Sequence, residues 1–314
     1  MMPAERMTAL IDRLGPVRGE LSADAALARY TWFKTGGKAD VLFRPADAED
    51  LAEFLGRVPG DVPLTILGNA SNVLVRDGGV DGVVIRLGRG FADIAVDGNE
   101  IVAGAGAADL NVARKARDAA LGGLEFLAGV PGTIGGALVM NAGAYGAEIA
   151  DIFVSATVFD RSGVSREVGA DGMAFSYRRS ALGAGDVVVA ARVRGTPGDM
   201  SAIAARMTEI QREREAAQPV RTLTGGSTFK NQDGHKAWEL IDAAGCRGLR
   251  RGAAVVSDKH CNFLVNEGGA TATDLEGLGE EVRRRVEAHS GVVLEWEVRR
   301  IGRMPASELG EVAT

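Results

Sequence analysis

Three polar residues stand where a bland side chain would serve the backbone equally well. Arg178 lies in Ser176-Tyr177-Arg178-Arg179-Ser180, Ser227 between Gly225-Gly226 and Thr228-Phe229-Lys230-Asn231, and Glu297 in Glu295-Trp296-Glu297-Val298-Arg299. Two-residue alternation puts Glu295, Glu297 and Arg299 on one face of a strand. Ser227 is not set up as a hydrolase nucleophile, since no G-x-S-x-G elbow surrounds it and no nearby histidine offers a triad context. A serine hydroxyl bonded to a lysine or a water can instead deliver a proton to a strongly basic acceptor such as a carbanion. An arginine and a glutamate that polarise a substrate carboxylate help spread that carbanion onto oxygen. Taken singly, each residue also has a plainer reading: a surface charge, a turn serine, the exposed half of an edge strand.

Two small-residue stretches point to a bound anion. Gly122 to Gly146, GGLEFLAGVPGTIGGALVMNAGAYG, carries Phe126, Leu127, Ile134, Leu138 and Met140 as apolar anchors. It is too apolar for a linker and too rich in glycine for a packed helix. It reads as backbone held on a hydrophobic scaffold, with side chains omitted so that something large can lie against the peptide groups. The N–H groups of Gly132 to Gly136 can face a pyrophosphate. Gly68-Asn69-Ala70-Ser71-Asn72, at the end of a strand over 63–67, forms a second candidate cradle. Tight turns between short strands are the plainer alternative.

The elements that must position these groups follow from local patterns. Residues 1–28 read as a helical lead-in with Leu10, Ile11 and Leu14 on one side. Asp47 caps a helix with Leu51, Phe54 and Leu55 as its stripe. Asp109 caps a helix that Gly122 closes. Residues 153–159 and 164–168 form a hairpin, and 187–193 a strand. A helix over 201–217 turns Ile203, Met207 and Ile210 inward and a run of Arg and Glu outward. A last helix starts near Thr273, with Thr273 and Glu276 at capping-box spacing, and a strand over 292–302 follows it. Many strands with occasional helices indicate α+β rather than alternating parallel units.

A chain of 314 residues suggests two domains, with a boundary near Gly195 to Asp199. The net charge of −6 argues against a general nucleic-acid binder. No apolar run reaches transmembrane length and residues 1–8 lack a signal-peptide core, so a cytoplasmic protein without a membrane partner is expected. Cys246 and Cys261 form no CxxC pair and are expected as packed, reduced thiols. His235, His260 and His289 are too few to suggest a histidine-built metal site, and none is expected.

The motifs SYRRS, GGSTFKN, LEWEVRRIG, GNASN and GLEFLAGVPGTIGGALVMNAGAYG together resemble the UDP-N-acetylenolpyruvoylglucosamine reductase family of peptidoglycan precursor synthesis. The resemblance spans residues 35–302. It implies a vanillyl-alcohol-oxidase-type (PCMH-type) FAD domain over 1–198, in two subdomains split near 65. A smaller α+β substrate domain over 199–303 and a tail over 304–314 would follow. FAD, held non-covalently, would contact Gly68, Asn69, Ala70, Ser71, Asn72, Gly129, Gly132, Thr133, Gly135, Gly136, Asn141 and Ala142. NADPH would be the electron donor. Ser227 would protonate the carbon next to the one that takes the hydride, with Arg178 and Glu297 stabilising the enolate-like intermediate. Tyr145, Lys230, Asn231 and Arg299 would hold the UDP-linked amino sugar, and the protein is expected to be a monomer.

Two departures stand out. Ala70 occupies a position where the family usually has glycine, and Gln232 replaces a common proline. The short link from Ser180 to Val187 matches the family branch lacking a tyrosine-bearing loop. Two alternatives stay open: an FAD-dependent oxidase of the same fold, and an inactive nucleotide-binding regulator. Such oxidases often tether flavin through His or Cys, and neither occurs here before His235. A regulator would be expected to lose one of Ser227, Arg178 and Glu297, and all are present.

Overall fold

The structure, a computed structural model, describes residues 10–232 and 234–305. The lead-in before Leu10 and the tail beyond residue 305 lie outside the described residues. The chain forms two compact units. The first takes the described residues up to Asp24, Val41–Asn69 and Gly82–Arg214, and the second takes Ala25–Asp40, Ala70–Asp81 and the described residues from Glu215. The helix Met200–Ala217, expected to open the second domain, thus lies in the first unit up to Arg214, with Ile203 and Met207 buried in that core.

Two larger sheets draw most of their residues from the first unit. One runs in the order Glu20–Ala26, Lys38–Arg44, Val80–Arg86, Leu64–Leu67, and so extends past the expected split near 65. The other is antiparallel throughout, in the order Ser165–Gly169, Phe153–Phe159, Val187–Arg194, Glu100–Gly104, Ile94–Asp97. Asp47 caps the helix Ala48–Arg57 by accepting from Asp50 N–H at 3.0 Å, and Leu51, Phe54 and Leu55 are buried as their spacing predicts. The helical lead-in stops early: Leu10 to Leu14 is helical, and Glu20–Ala26 is a strand. Gly15 at φ 71° followed by Pro16 ends the helix, because proline has no N–H to continue it. The buried Asp50 carboxylate then holds the chain entering that strand, accepting from the N–H groups of Arg18, Gly19 and Ala46 at 2.8–2.9 Å.

The second unit is built on an antiparallel sheet in the order Leu223–Ser227, Phe263–Asn266, Ala254–Val256, Arg250–Arg251. The helices Ala237–Ala243 and Ala272–Ser290 cover it, burying Ile241, Leu275, Leu278, Val282 and Val286 with Phe33, Leu74 and Phe229. The long helix is capped two residues earlier than expected. Thr271 and Asp274 form its capping box, and the Asp77 carboxylate accepts from Ala272 and Thr273 N–H. Glu276 is committed elsewhere, to a bidentate pair with Arg76. The expected strand over 292–302 shrinks to Arg299–Ile301, parallel to Val73–Val75. Cys246 and Cys261 are free and buried as expected. Burial pushes the Cys261 thiol up to about 11, which keeps it protonated and unreactive at neutral pH. Among the described residues no helix is long and apolar enough to cross a membrane.

Candidate active site

In the first unit the two small-residue stretches meet. A Cβ on Gly68 would lie 2.3 Å from Thr133 Oγ1, so the stretches approach this closely only because residue 68 lacks a side chain. Asn69 Nδ2 donates to the Gly132 carbonyl at 3.3 Å. The N–H groups of Ile134 and Gly135 donate to the Ala107 and Ala105 carbonyls, so they are spent inside the chain. Those of Gly132, Thr133 and Gly136 lie outside these bonds and are the ones that fit a pyrophosphate. The glycines have different reasons. On Gly129 a Cβ would strike the Tyr145 ring at 2.4 Å, and on Gly135 the Ala105 Cβ at 2.9 Å, so both serve internal packing. At Gly136 the nearest atom would be Thr133 Oγ1 at 3.8 Å, and nothing in the chain requires glycine there.

Downstream, Gly143–Ala144 pairs with Ala147–Glu148 around Tyr145 (φ 56°) and Gly146 (φ 87°). Positive φ at both central residues is what a two-residue type I′ hairpin requires, and it carries Tyr145 on the tip. Asn141 is buried; its amide donates to the Ser176 carbonyl at 3.2 Å and accepts from Ala150 N–H at 3.0 Å. It therefore brackets the turn that bears Arg178. Ala142 likewise spends its N–H on Ala137 and its carbonyl on Ile149. Arg178, at φ 57°, donates to the Gly143 carbonyl at 3.1 Å, at the base of the Tyr145 hairpin.

The sequence reading missed Arg214. Burial lowers its guanidinium pKa, with nearby Tyr145 opposing that shift, and burial raises the Tyr145 hydroxyl. The signal was present: 203, 207, 210 and 214 follow helical spacing, so Arg214 shares the inward face of Ile203, Met207 and Ile210. A half-buried cation beside a tyrosine suits an anionic ligand.

Asp109 is the first residue of the helix Asp109–Asp118 rather than its cap. Its carboxyl is fully buried and has no hydrogen-bond partner, while its N–H donates to the Gly132 carbonyl. Burial raises its pKa well above the usual carboxylate range. In the unfolded chain it ionises at about 3.9, so folding takes up a proton at higher pH and stability falls as pH rises from there. Asp109→Asn removes that proton uptake. It is expected to raise Tm at pH 8 relative to wild type, with the gain shrinking toward pH 4.5. A gain independent of pH would refute the assignment.

In the second unit the backbone stitches three predicted residues into one frame. Glu297 N–H donates to the Thr228 carbonyl at 2.8 Å, and Thr228 follows Ser227 directly. Asn72 Nδ2 donates to the Glu297 carbonyl at 3.1 Å, and Arg299 N–H to the Asn72 carbonyl at 3.0 Å. Asn72 thereby fixes both sides of the Glu297 segment. The buried Asn262 amide bonds both backbone groups of Phe229. Ser227, half-buried, ends its strand after a register shift, opposite Phe263. Lys230 Nζ pairs with Glu295 at 3.0 Å, and Asn231 Oδ1 accepts from Ala237 N–H, capping the following helix. Ala70 is buried at φ 46°, a left-handed conformation that costs an L-residue about 1–2 kcal/mol. Ala70→Gly, after the loss of unfolded-chain entropy, is expected to gain about 0.5–1 kcal/mol. A lowered Tm would contradict that strain.

Residues 39–169 match the model of an FAD binding domain, and residues 218–301 that of the UDP-N-acetylenolpyruvoylglucosamine reductase C-terminal domain. The reductase of that name from Parvibaculum lavamentivorans is 59% identical, covering 96% of this chain and 97% of its own. Its counterpart from Paramagnetospirillum magneticum is also 59% identical, covering 93% and 95%. The crystal structure of the Thermus caldophilus reductase, at 35% identity, superposes with a TM-score of 0.79 over 91% of this chain and 100% of that one. The α+β class, with an FAD-binding domain, is borne out. With such identity over nearly its whole length, this chain belongs to the UDP-N-acetylenolpyruvoylglucosamine reductase family.

Proposed function

We propose that Ser227, Arg178 and Glu297 carry out the proton and charge handling of the family's reaction, the FAD-dependent reduction of UDP-N-acetylglucosamine enolpyruvate to UDP-N-acetylmuramate. The chemistry FAD supplies when bound is delivery of a hydride, drawn from NADPH, to the enolpyruvyl methylene carbon. The Gly68 and Gly132–Gly136 segments would hold its pyrophosphate, and no histidine or cysteine within 39–169 is available to tether it. Arriving hydride leaves negative charge on the carbon beside the carboxylate. The Ser227 hydroxyl gives its proton to that carbon, and the Arg178 guanidinium stabilises the charge while it is spread onto the carboxylate. Glu297 acts with Arg178 in stabilising the resulting enolate-like intermediate. Tyr145, Arg214, Lys230 and Arg299 hold the nucleotide sugar, with Asn231 supporting Lys230 by fixing the helix start that follows it.

One observation carries this reading: the Glu297-to-Thr228 hydrogen bond ties the segment bearing the carboxylate to the end of the strand that bears the general acid. The protein acts as a cytoplasmic monomer, needing neither nucleic acid nor membrane. The purified protein is expected to be yellow, to bleach anaerobically with NADPH, and to regain colour with the enolpyruvyl nucleotide. A protein that bleaches but recovers colour equally with any UDP-sugar would defeat the substrate assignment.

A further inference from the structure

We infer that Trp296 is a positioning residue for this reaction: pinned to the Ala272–Ser290 helix, it sets the register that holds Glu297 against the strand of Ser227. The inference rests on the roles proposed for Ser227 and Glu297. Between residues 228–230 and 295–297 the pairing is an isolated bridge, Phe229 with Trp296. It is flanked by Lys230 N–H to the Glu295 carbonyl and Glu297 N–H to the Thr228 carbonyl, both 2.8 Å. So short a ladder resists slippage weakly, and a slip of one residue would turn the Glu297 carboxylate to the opposite face.

Asn72 and the pairing of Arg299–Ile301 with Val73–Val75 hold the far side of Glu297, and Trp296 constrains the near side. The Trp296 ring lies 5.0 Å from the Phe229 ring, centroid to centroid. Its other side rests on the helix at Gly279, where a Cβ would sit 2.2 Å from Cη2 and 2.4 Å from Cζ2. Trp296 Nε1 donates to Glu280 Oε1 at 2.8 Å. Arg300 donates to the same oxygen at 2.8 Å and to Glu276 at 2.9 Å, with its guanidinium carbon 4.5 Å from the indole centroid. Glu276 in turn takes both ends of the Arg76 fork at 2.9 Å. An indole gripped on one edge, stacked on one face and seated on bare helix backbone has one available position. The residue next to it along the chain is Glu297.

The test uses the flavin-loaded full chain and separates the two half-reactions. Gly279→Ala, which must displace the ring, and Trp296→Leu, which removes its hydrogen bond and stacking, are each expected to slow oxidation by the enolpyruvyl nucleotide about 100-fold, the scale of a misplacement near 1 Å. Flavin reduction by NADPH should stay within about twofold of wild type, since that step uses neither the Ser227 proton nor the Glu297 carboxylate. Trp296→Phe keeps an aromatic face on Phe229 and is expected to recover part of the lost rate. Parallel slowing of both half-reactions, or no slowing in either, would overturn the inference. Should Gly279→Ala fail to fold, Trp296→Leu and Trp296→Phe decide it. Ser227→Ala runs alongside: if it reoxidises normally, the underlying reading falls and takes this inference with it. If Ser227→Ala is slow while both Trp296 variants are normal, only the positioning role is refuted.

Discussion

Reduced by NADPH and then given the enolpyruvyl nucleotide, the Ser227→Ala protein is expected to stay bleached. A positioned general acid contributes about 10²- to 10⁴-fold, and reoxidation should slow by that factor. Reduction by NADPH needs no proton from Ser227 and should proceed at the wild-type rate. The substitution is a fair test because the serine contributes little to the fold. It is half-buried at the end of a strand, and the bonds that lock this region come from Thr228, Phe229 and Asn262. Stability should therefore change by no more than about 0.5 kcal/mol. Sequential-mixing absorbance at the flavin band reads both half-reactions in one experiment. Recovery of colour at the wild-type rate would mean that another group, or solvent, protonates the carbon.

The sequence made the chemistry legible earlier than the architecture. Ser227 and Glu297 stood out in local motifs, and a hydrogen bond from Glu297 N–H to the Thr228 carbonyl links their segments. The helix cap at Asp47 was legible because its partner, Asp50, is three residues away. Elements whose ends are decided at long range were not. Thr273 and Glu276 have capping-box spacing, yet Arg76 and Arg300 take Glu276 while Asp77 takes the helix start. The alternation in Glu295-Trp296-Glu297-Val298-Arg299 suggested a strand, but only one bridge forms there, and side chains on the long helix hold the segment instead. Arg214 was hidden by its neighbours: Arg212 and Glu213 are exposed, and their charge masked the inward spacing of the residue beside them. Asp109 looked like a cap because Asp at a helix start usually is one; here the carboxyl is buried without a partner, which spacing alone does not reveal.

The Gly136→Ala protein is expected to be more stable than wild type without FAD and to bind FAD more weakly. Gly136 lies in the helix Ile134–Val139, at an exposed position with room for a methyl group and no positive φ to require glycine. Alanine is favoured over glycine in a helix interior by about 1 kcal/mol, less near a terminus. The flavin-free chain therefore forgoes stability at this position for no internal reason. Gly129 and Gly135 differ: a Cβ there meets Tyr145 or Ala105, so alanine at either should destabilise the flavin-free protein as well. If the bare peptide at Gly136 is the surface on which the cofactor's phosphates rest, a methyl group forces them away. Overpacking of this size costs about 1–3 kcal/mol, a loss of about 5- to 150-fold in affinity. Thermal melts of the flavin-free protein and fluorescence titration with FAD give the two signs separately. Opposite signs are diagnostic, because a change that merely damaged the fold would lower both. Unchanged FAD affinity in the stabilised protein would place the pyrophosphate elsewhere and leave the openness of Gly136 without a purpose.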